Sequence, residues 1–307
     1  SDRFANVLSS LGVVKGDRIL LYLDRIPELY FTFLGALKIG AVAGILCPEI
    51  DAKKVRDRMS MSSAKILVTQ PVFRRRLGEI IYELFELQHI VVVNKNGKDP
   101  VPPDIADLNY EEEMAKAPTE FQIVPTNQLE DATIQFTAGT SEDSNAVVHQ
   151  HQAVVQQYET SQSVLDLKPE DVYWYSIGPG SVADIAYGII GPWTNGVTQL
   201  AIEGSWNANR CYELLSKHRV TVWVTTPTAL NELMEIDPES TPNPNMTDLR
   251  HVFSTGTHLQ AETIQWGLQA LGSPVRDCYI ETESGAFMCA NHPGIEVRVG
   301  SIGKPTT

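Results

Sequence analysis

Hydrophobic and polar positions along the chain alternate between two periods. Phe4, Val7, Leu8 and Leu11 recur at helical spacing, and Ile19-Leu20-Leu21-Tyr22-Leu23 follows as a short continuous apolar run of strand type. The pair then repeats. The pattern predicts a helix over 28–39 closed by Gly40, a strand over 41–47 stopped by Pro48, and a helix over 51–63 with Asp51 as its N-cap. A strand over 66–69, a helix over 74–84 and a strand over 90–93 complete a third cycle. Helices alternating with fully apolar strands predict a doubly wound, mostly parallel sheet for this half.

The second half begins with a Pro- and Lys-bearing loop over 94–103 and a short acidic helix over 110–116. Strands are then expected at 132–136, 172–177, 198–202, 221–224 and 251–254, and helices at 151–165, 184–193, 208–218, 228–236 and 261–271. A stretch rich in Pro, Asn and Ser over 237–247 reads as an exposed loop. The division expected is two α/β subdomains, 1–125 and 126–307. Tyr173-Trp174-Tyr175 lies on a predicted strand and reads as core rather than as a binding surface.

Composition narrows the function classes. The 307 residues suffice for two domains with a sizeable core. Lys plus Arg is 24 against 38 Asp plus Glu, a net charge of −14, which is the opposite of what phosphate backbones and anionic membranes select. No nucleic acid or membrane partner is therefore expected, and an anionic ligand needs a local cation or a cluster of N–H groups to overcome the background field. Cys47, Cys211, Cys278 and Cys289 show no C-x-x-C spacing and read as thiols in a reducing compartment. No apolar run approaches 18 residues and the first residues resemble no targeting signal, so a cytoplasmic location is expected.

The most informative segment runs from Phe136 through Thr137, Gly139, Thr140, Ser141, Glu142, Asp143, Asn145 and Ala146 to His149 and His151. A strand entering a loop dense in hydroxyls and glycine offers the groups an anion cradle requires, although a polar hairpin with no ligand has the same composition. The segment resembles the phosphate-binding loop of the AMP-forming acyl-CoA synthetases, Y/F-T-S-G-S/T-T-G-x-P-K-G-V followed by H-x-H. Asp277-Cys278-Tyr279-Ile280-Glu281-Thr282-Glu283-Ser284-Gly285 is similar to that family's D-x-W/Y-x-x-T-E-T/S-G segment. Pro227-Thr228-Ala229 and Gly300-Ser301-Ile302-Gly303-Lys304-Pro305 match two further segments in the family's order. Softer similarities, among them Tyr187-Gly188, Gly191-Pro192-Trp193 and Leu249-Arg250-His251-Val252, point to the bacterial acetyl-CoA synthetase branch.

The resemblance implies two doubly wound subdomains in αβαβα layers, the large N-terminal domain of such enzymes, with their mobile C-terminal domain lying outside this chain. It implies ATP or AMP, Mg²⁺ and CoA as cofactors and a small carboxylate, acetate or another short-chain acid, as substrate. A homodimer or a partner protein is left open. Carboxylate attack on the α-phosphorus of ATP gives acyl-AMP and pyrophosphate, and CoA then takes the acyl group, so the protein's task is positioning and charge neutralisation. Thr137, Gly139, Thr140 and Ser141 would hold phosphate oxygens, and Gly256, Thr257, Tyr279, Ile280 and Glu281 would line the adenosine and acyl sites, with Tyr279 as a stacking face. Thr282 would bond the α-phosphate, and Glu283 would be both a catalytic group and an oxygen ligand for Mg²⁺.

The sequence departs from the pattern where charge is handled. Glu142, Asn145 and Ala146 stand where the family has Gly, Lys and Gly, and Gly256-Thr257-His258 stands where it has G-E-P. Asn cannot supply the point charge of Lys, a Cβ removes the freedom of Gly, and each carboxylate ~4 Å from a phosphate costs roughly 4 kcal/mol before screening at an effective dielectric of ~20. Gly178-Pro179-Gly180-Ser181 replaces D-P-G-W, and Ile280 replaces the tryptophan of acetyl-specific members, which implies a longer acyl pocket. A non-catalytic binding or regulatory relative is the alternative. His149 and His151 have no third partner spaced for a metal, and neither G-x-S-x-G nor G-x-G-x-x-G occurs.

Overall fold

The computed structural model describes residues 1–95, 107–137, 145–236 and 246–306. The chain divides into two compact units, Ser1–Gln152 and Ala153–Thr307.

In the first unit β1 (Arg18–Tyr22), β2 (Val42–Ile45), β3 (Ile66–Thr69), β4 (His89–Val92), β5 (Asp107–Asn109) and β6 (Asp131–Phe136) run parallel, and β7 (Ala146–Gln150) runs antiparallel beside β6. The order across the sheet is β5-β4-β3-β1-β2-β6-β7. Its helices are α1 (Asp2–Ser10), α2 (Pro27–Lys38), α3 (Ala52–Ser62), α4 (Pro71–Leu77) and α5 (Tyr110–Lys116). Strands β2 and β3 are buried along their whole length, as a parallel sheet covered on both faces requires. Gly44 sets the spacing of the central strands, because a Cβ there would lie 2.6 Å from Leu20 Cδ2 and 2.8 Å from the Ile134 carbonyl oxygen.

Asp51 caps α3 as expected, its carboxylate accepting the Lys54 N–H at 2.8 Å. The helix expected over 74–84 differs. It starts at Pro71, whose fixed φ suits a first turn, and stops at Leu77 because Gly78 adopts φ +50° and turns the chain into a 3₁₀ stretch, Gly78–Glu83. The division expected between residues 125 and 126 falls between Gln152 and Ala153 instead. The reason is strand pairing: β6 lies against β2 through Ala43↔Thr133 and Gly44↔Ile134, and β7 folds back along β6. Most of the loops expected over 94–103 and 237–247 lies outside the described residues.

In the second unit β8 (Val172–Tyr175), β9 (Thr198–Leu200), β10 (Val222–Thr225), β11 (His251–Ser254) and β12 (Val275–Ile280) are parallel, and β13 (Phe287–Ala290) and β14 (Lys304–Pro305) are antiparallel additions, in the order β9-β8-β10-β11-β12-β13-β14. Helices α6 (Ala153–Ser163), α8 (Ala208–Lys217), α9 (Pro227–Met234) and α10 (Ala261–Ala270) accompany them. The helix expected over 184–193 is a π-type stretch, Asp184–Ile190, running into the short α7 (Gly191–Thr194). Gly191 lets this segment approach α6 closely, since a Cβ there would fall 2.1 Å from Ser161 Oγ.

Alternation along the strands builds two cores. Tyr173, Tyr175, Val222, Val224 and Phe253 face one side with Tyr187, which stacks on Phe287 at 3.8 Å between ring centroids. Trp174 and Trp223 face the other, their rings 5.6 Å apart and continued by Trp206. The run Tyr173-Trp174-Tyr175 is thus core on both faces. Among the described residues no helix is long and apolar enough to cross a membrane.

Candidate functional site

Open parallel sheets take ligands beyond the carboxyl ends of their strands, where the order reverses. In the second sheet the reversal is at β8, with β9 on one side and β10 on the other. Strand register places Thr225 beside Ser254 and Ser254 beside Asp277, and Ser176, the residue after β8, donates to Thr225 Oγ1 at 3.0 Å. Two residues earlier on the same strands stand Trp174, Trp223, Val252 and Val275, all in one apolar cluster. Four neighbouring strands therefore change together from an apolar row to a polar row at this edge.

The polar row is only partly satisfied. Ser176 Oγ accepts the Trp223 indole N–H at 3.0 Å. Ser254 and Thr255 are 0% and 2% exposed, and neither hydroxyl has a hydrogen-bond partner. Burial of Asp277 pushes its carboxyl up to about 6, against the opposing pull of nearby His258. Buried polar groups are normally paired, so orphaned hydroxyls beside a strained carboxyl mark a place where a ligand or water supplies the missing bonds. Gly256 and Thr257 follow at the surface, Gly256 at φ +111°, a conformation a side chain would strain.

On the neighbouring strand β12, successive side chains take opposite faces. The Tyr279 ring is 40% exposed, whereas Ile280 packs into the apolar cluster with Phe287. The Tyr279 hydroxyl donates a short hydrogen bond to Glu281 Oε1, and this bond raises the phenol above its ordinary value. The chain then turns: Ser284 Oγ donates to the Glu281 and Ala286 carbonyls at 3.0 and 2.8 Å, and the Gly285 carbonyl accepts from Gln157 on α6 at 3.2 Å. This turn buries Thr282 and leaves the carboxylates of Glu281 and Glu283 at the surface, Glu283 with no ion pair among the described residues. An exposed flat ring, a buried hydroxyl and a free carboxylate within five residues are suited to stacking a base, bonding an anion and holding a hard cation.

Of the residues expected to act, Gly256, Thr257, Tyr279, Glu281, Thr282 and Glu283 are gathered at one edge of one sheet, while Ile280 turns inward beneath them. In the first unit Thr137 follows β6, its N–H donating to the Asn145 carbonyl and its Oγ1 accepting the Asn145 N–H, both at 3.0 Å. The pair forms a neck, and Gly139, Thr140 and Ser141 lie outside the described residues. His151 Nε2 is buried without a partner, and burial lowers the imidazole below its ordinary value. Ser176, Thr225, Ser254 and Thr255 were not singled out from the sequence. The signal was present for three strands: VYWYS, VWVT and HVFS each end an apolar run on a hydroxyl.

Comparison with known proteins identifies the family. The AMP-binding enzyme family matches residues 1–307. The acetyl-coenzyme A synthetase of Bacillus subtilis is 37% identical over 306 residues, covering 99% of this chain and 52% of that protein. The acetyl-coenzyme A synthetase of Rubrobacter xylanophilus is 30% identical over 310 residues, covering 96% of this chain and 48% of that protein. The crystal structure of the Brucella canis acyl-CoA synthetase superposes with a TM-score of 0.89 at 29% identity, covering 99% of this chain and 54% of that one. The chain thus spans about half the length of the relatives it matches, and it belongs to the AMP-binding enzyme family of adenylate-forming acyl-CoA synthetases.

Proposed function

We propose that this chain is the nucleotide-binding core of an acetyl- or short-chain acyl-CoA synthetase, which joins a carboxylate to AMP and hands the acyl group to CoA when the rest of such an enzyme is present. The observation that carries the reading is the carboxyl edge of the second sheet, where an exposed Tyr279 ring stands beside buried hydroxyls that lack partners. In this reading Tyr279 stacks the adenine, and Gly256 and Thr257 border the adenosine. Glu281 orients the tyrosine through its hydrogen bond. Thr282 bonds the α-phosphate, and Glu283, an exposed carboxylate without an ion pair among the described residues, is the oxygen ligand for Mg²⁺. Thr137, with Gly139, Thr140 and Ser141, would take the pyrophosphate end. Ile280, smaller than the tryptophan of acetyl-specific members, favours an acid longer than acetate. All four cysteines are free, in keeping with a reducing, cytoplasmic setting.

Glu142, Asn145 and Ala146 favour a second reading, a relative that binds nucleotide or acyl-adenylate without turning it over. Calorimetric titration with Mg·ATP and with a non-hydrolysable acyl-adenylate analogue tests both. We expect tight analogue binding, weaker Mg·ATP binding, and a loss of about tenfold in analogue affinity for Tyr279→Ala, from roughly 1–1.5 kcal/mol of stacking. No heat from either ligand would end the nucleotide reading. Acyl-CoA formed by the chain alone from ATP, acetate and CoA would overturn the expectation that this core does not complete the reaction by itself.

A further inference from the structure

Arg58 projects from α3 and is 8% exposed. A guanidinium keeps its charge in proteins, so one buried this deeply is costly unless a carboxylate or several acceptors meet it. Other arginines of the first unit are met in this way. Arg74 is 3% exposed and forks onto Asp107 at 2.9 and 3.0 Å, and Arg56, two residues before Arg58, pairs with Asp57 and Glu83. Arg58 has neither: its Nε is buried without a partner, and no carboxylate among the described residues pairs with it.

What it has is an aromatic face and a position. Its guanidinium carbon lies 5.3 Å from the centroid of the Phe136 ring. Phe136 is the last residue of β6, immediately before the Thr137–Asn145 neck, and β6 pairs with β2, whose carboxyl end leads to Cys47. Cys47 is the titratable group that faces Arg58. It is a neutral thiol, pushed up to about 12 by burial and donating to Glu49 at 2.6 Å, and so does not neutralise the cation. A cation–π contact contributes about 2 kcal/mol when desolvated, less than an unpaired buried charge costs. Burial draws the guanidinium below its ordinary value in the same sense. Meanwhile Asn145, which closes the neck, is uncharged and offers an approaching anion no cation.

We propose that Arg58, held against Phe136 at the carboxyl edge between β2 and β6, is the cation of a phosphoryl-oxyanion site and takes the charge role that Asn145 does not fill. The planar fork matches two oxygens of one phosphoryl group, and the apolar bed fixes the fork before the ligand arrives. As the pyrophosphate end of a nucleoside triphosphate the ligand rests on the nucleotide reading above; as inorganic pyrophosphate it does not.

The test is calorimetric titration of the intact chain and of Arg58→Met and Arg58→Lys with inorganic pyrophosphate, Mg·ATP and adenosine. Arg58→Met should weaken both anions by about tenfold or more, from the loss of charge-assisted hydrogen bonds, and leave adenosine unchanged. Arg58→Lys should fall between the two. Without ligand, Arg58→Met should melt at or above the parent temperature, because an apolar side chain replaces an unpaired charge, and pyrophosphate should raise the melting temperature of the parent only. A purely structural arginine would give the reverse, a lower melting temperature with unchanged anion binding, and would overturn the proposal. Pyrophosphate binding through Arg58 without Mg·ATP binding would keep this site and discard the nucleotide reading. Equal anion affinities in parent and Arg58→Met, or no anion binding by the parent at all, would discard the site.

Discussion

The two edges of the second sheet treat buried polar groups in opposite ways. At the amino edge, Asp171 before β8 is 2% exposed and is met on every side: Arg250 Nη2 donates at 2.7 Å, Thr221 Oγ1 at 2.7 Å and the Lys168 backbone N–H at 2.8 Å. Arg250 also reaches Asp166 at 2.8 Å, so the loops before β8, β10 and β11 are tied by one network. At the carboxyl edge, Ser254 and Thr255 are equally buried and have no partner. Three of the four strands that end in the open polar row, β8, β10 and β11, thus begin at a closed set of polar bonds. Closure stabilises the fold. Openness leaves bonds for something the chain does not itself contain.

The largest effect expected from this contrast is at Arg250. Arg250→Ala leaves the Asp171 carboxylate buried without its cation and should lower the free energy of unfolding by about 3–5 kcal/mol, read from urea midpoints. Arg250→Lys should recover part of this, since one ammonium replaces a fork that spans both Asp171 oxygens. A loss below about 1 kcal/mol for Arg250→Ala would show that the amino edge is not a closed network, and the contrast would fail at its stronger side.

Legibility in the sequence followed the same division. The parallel core strands were plain because runs such as Ile66-Leu67-Val68-Thr69 are apolar throughout, and Asp51 announced the start of α3. Strand β7 was hidden because Ala146-Val147-Val148-His149-Gln150 is half exposed on an edge, where alternation is weak, and β12 was hidden because Arg276 and Asp277 interrupt it. The boundary was displaced for the same reason: without β7, nothing in the pattern assigns β6 to the first sheet. Tyr279, Thr282 and Glu283 were named through a motif. Ser254, Thr255 and Arg58 needed coordinates, because what distinguishes them is the absence of a partner, and a sequence does not record which bonds are missing.

A second prediction tests the open edge by pH. Asp277 titrates at about 6 in the folded chain because it is buried, against about 3.9 for an exposed aspartate. The folded state therefore holds this proton more tightly than the unfolded state. The associated stability is fully present below about pH 4 and is lost as pH rises through about 6. Asp277→Asn removes the charge while keeping the shape, so it should match the parent at pH 4 and exceed it by up to about 3 kcal/mol at pH 7, from roughly two units of displacement. Parallel curves for the two proteins between pH 4 and 8 would mean that Asp277 is as well satisfied as Asp171.

The smallest effects, and the sharpest contrast, come from single hydroxyls at the two edges, the half-buried Thr221 and the buried Ser254 and Thr255. Thr221→Val removes a donor to the Asp171 carboxylate and an acceptor for the Val172 N–H, and should cost about 1.5–3 kcal/mol. Ser254→Ala and Thr255→Val remove hydroxyls that have no partner, so each should change stability by less than about 1 kcal/mol, on the stabilising side. The same two substitutions should weaken binding of the acyl-adenylate analogue, because the bonds they delete are made only with ligand or with the water it displaces. Stability and affinity then move in opposite directions at the carboxyl edge and stability alone moves at the amino edge. A Ser254→Ala variant that is destabilised as much as Thr221→Val would place its hydroxyl in the architecture of the sheet and remove the distinction between the two edges.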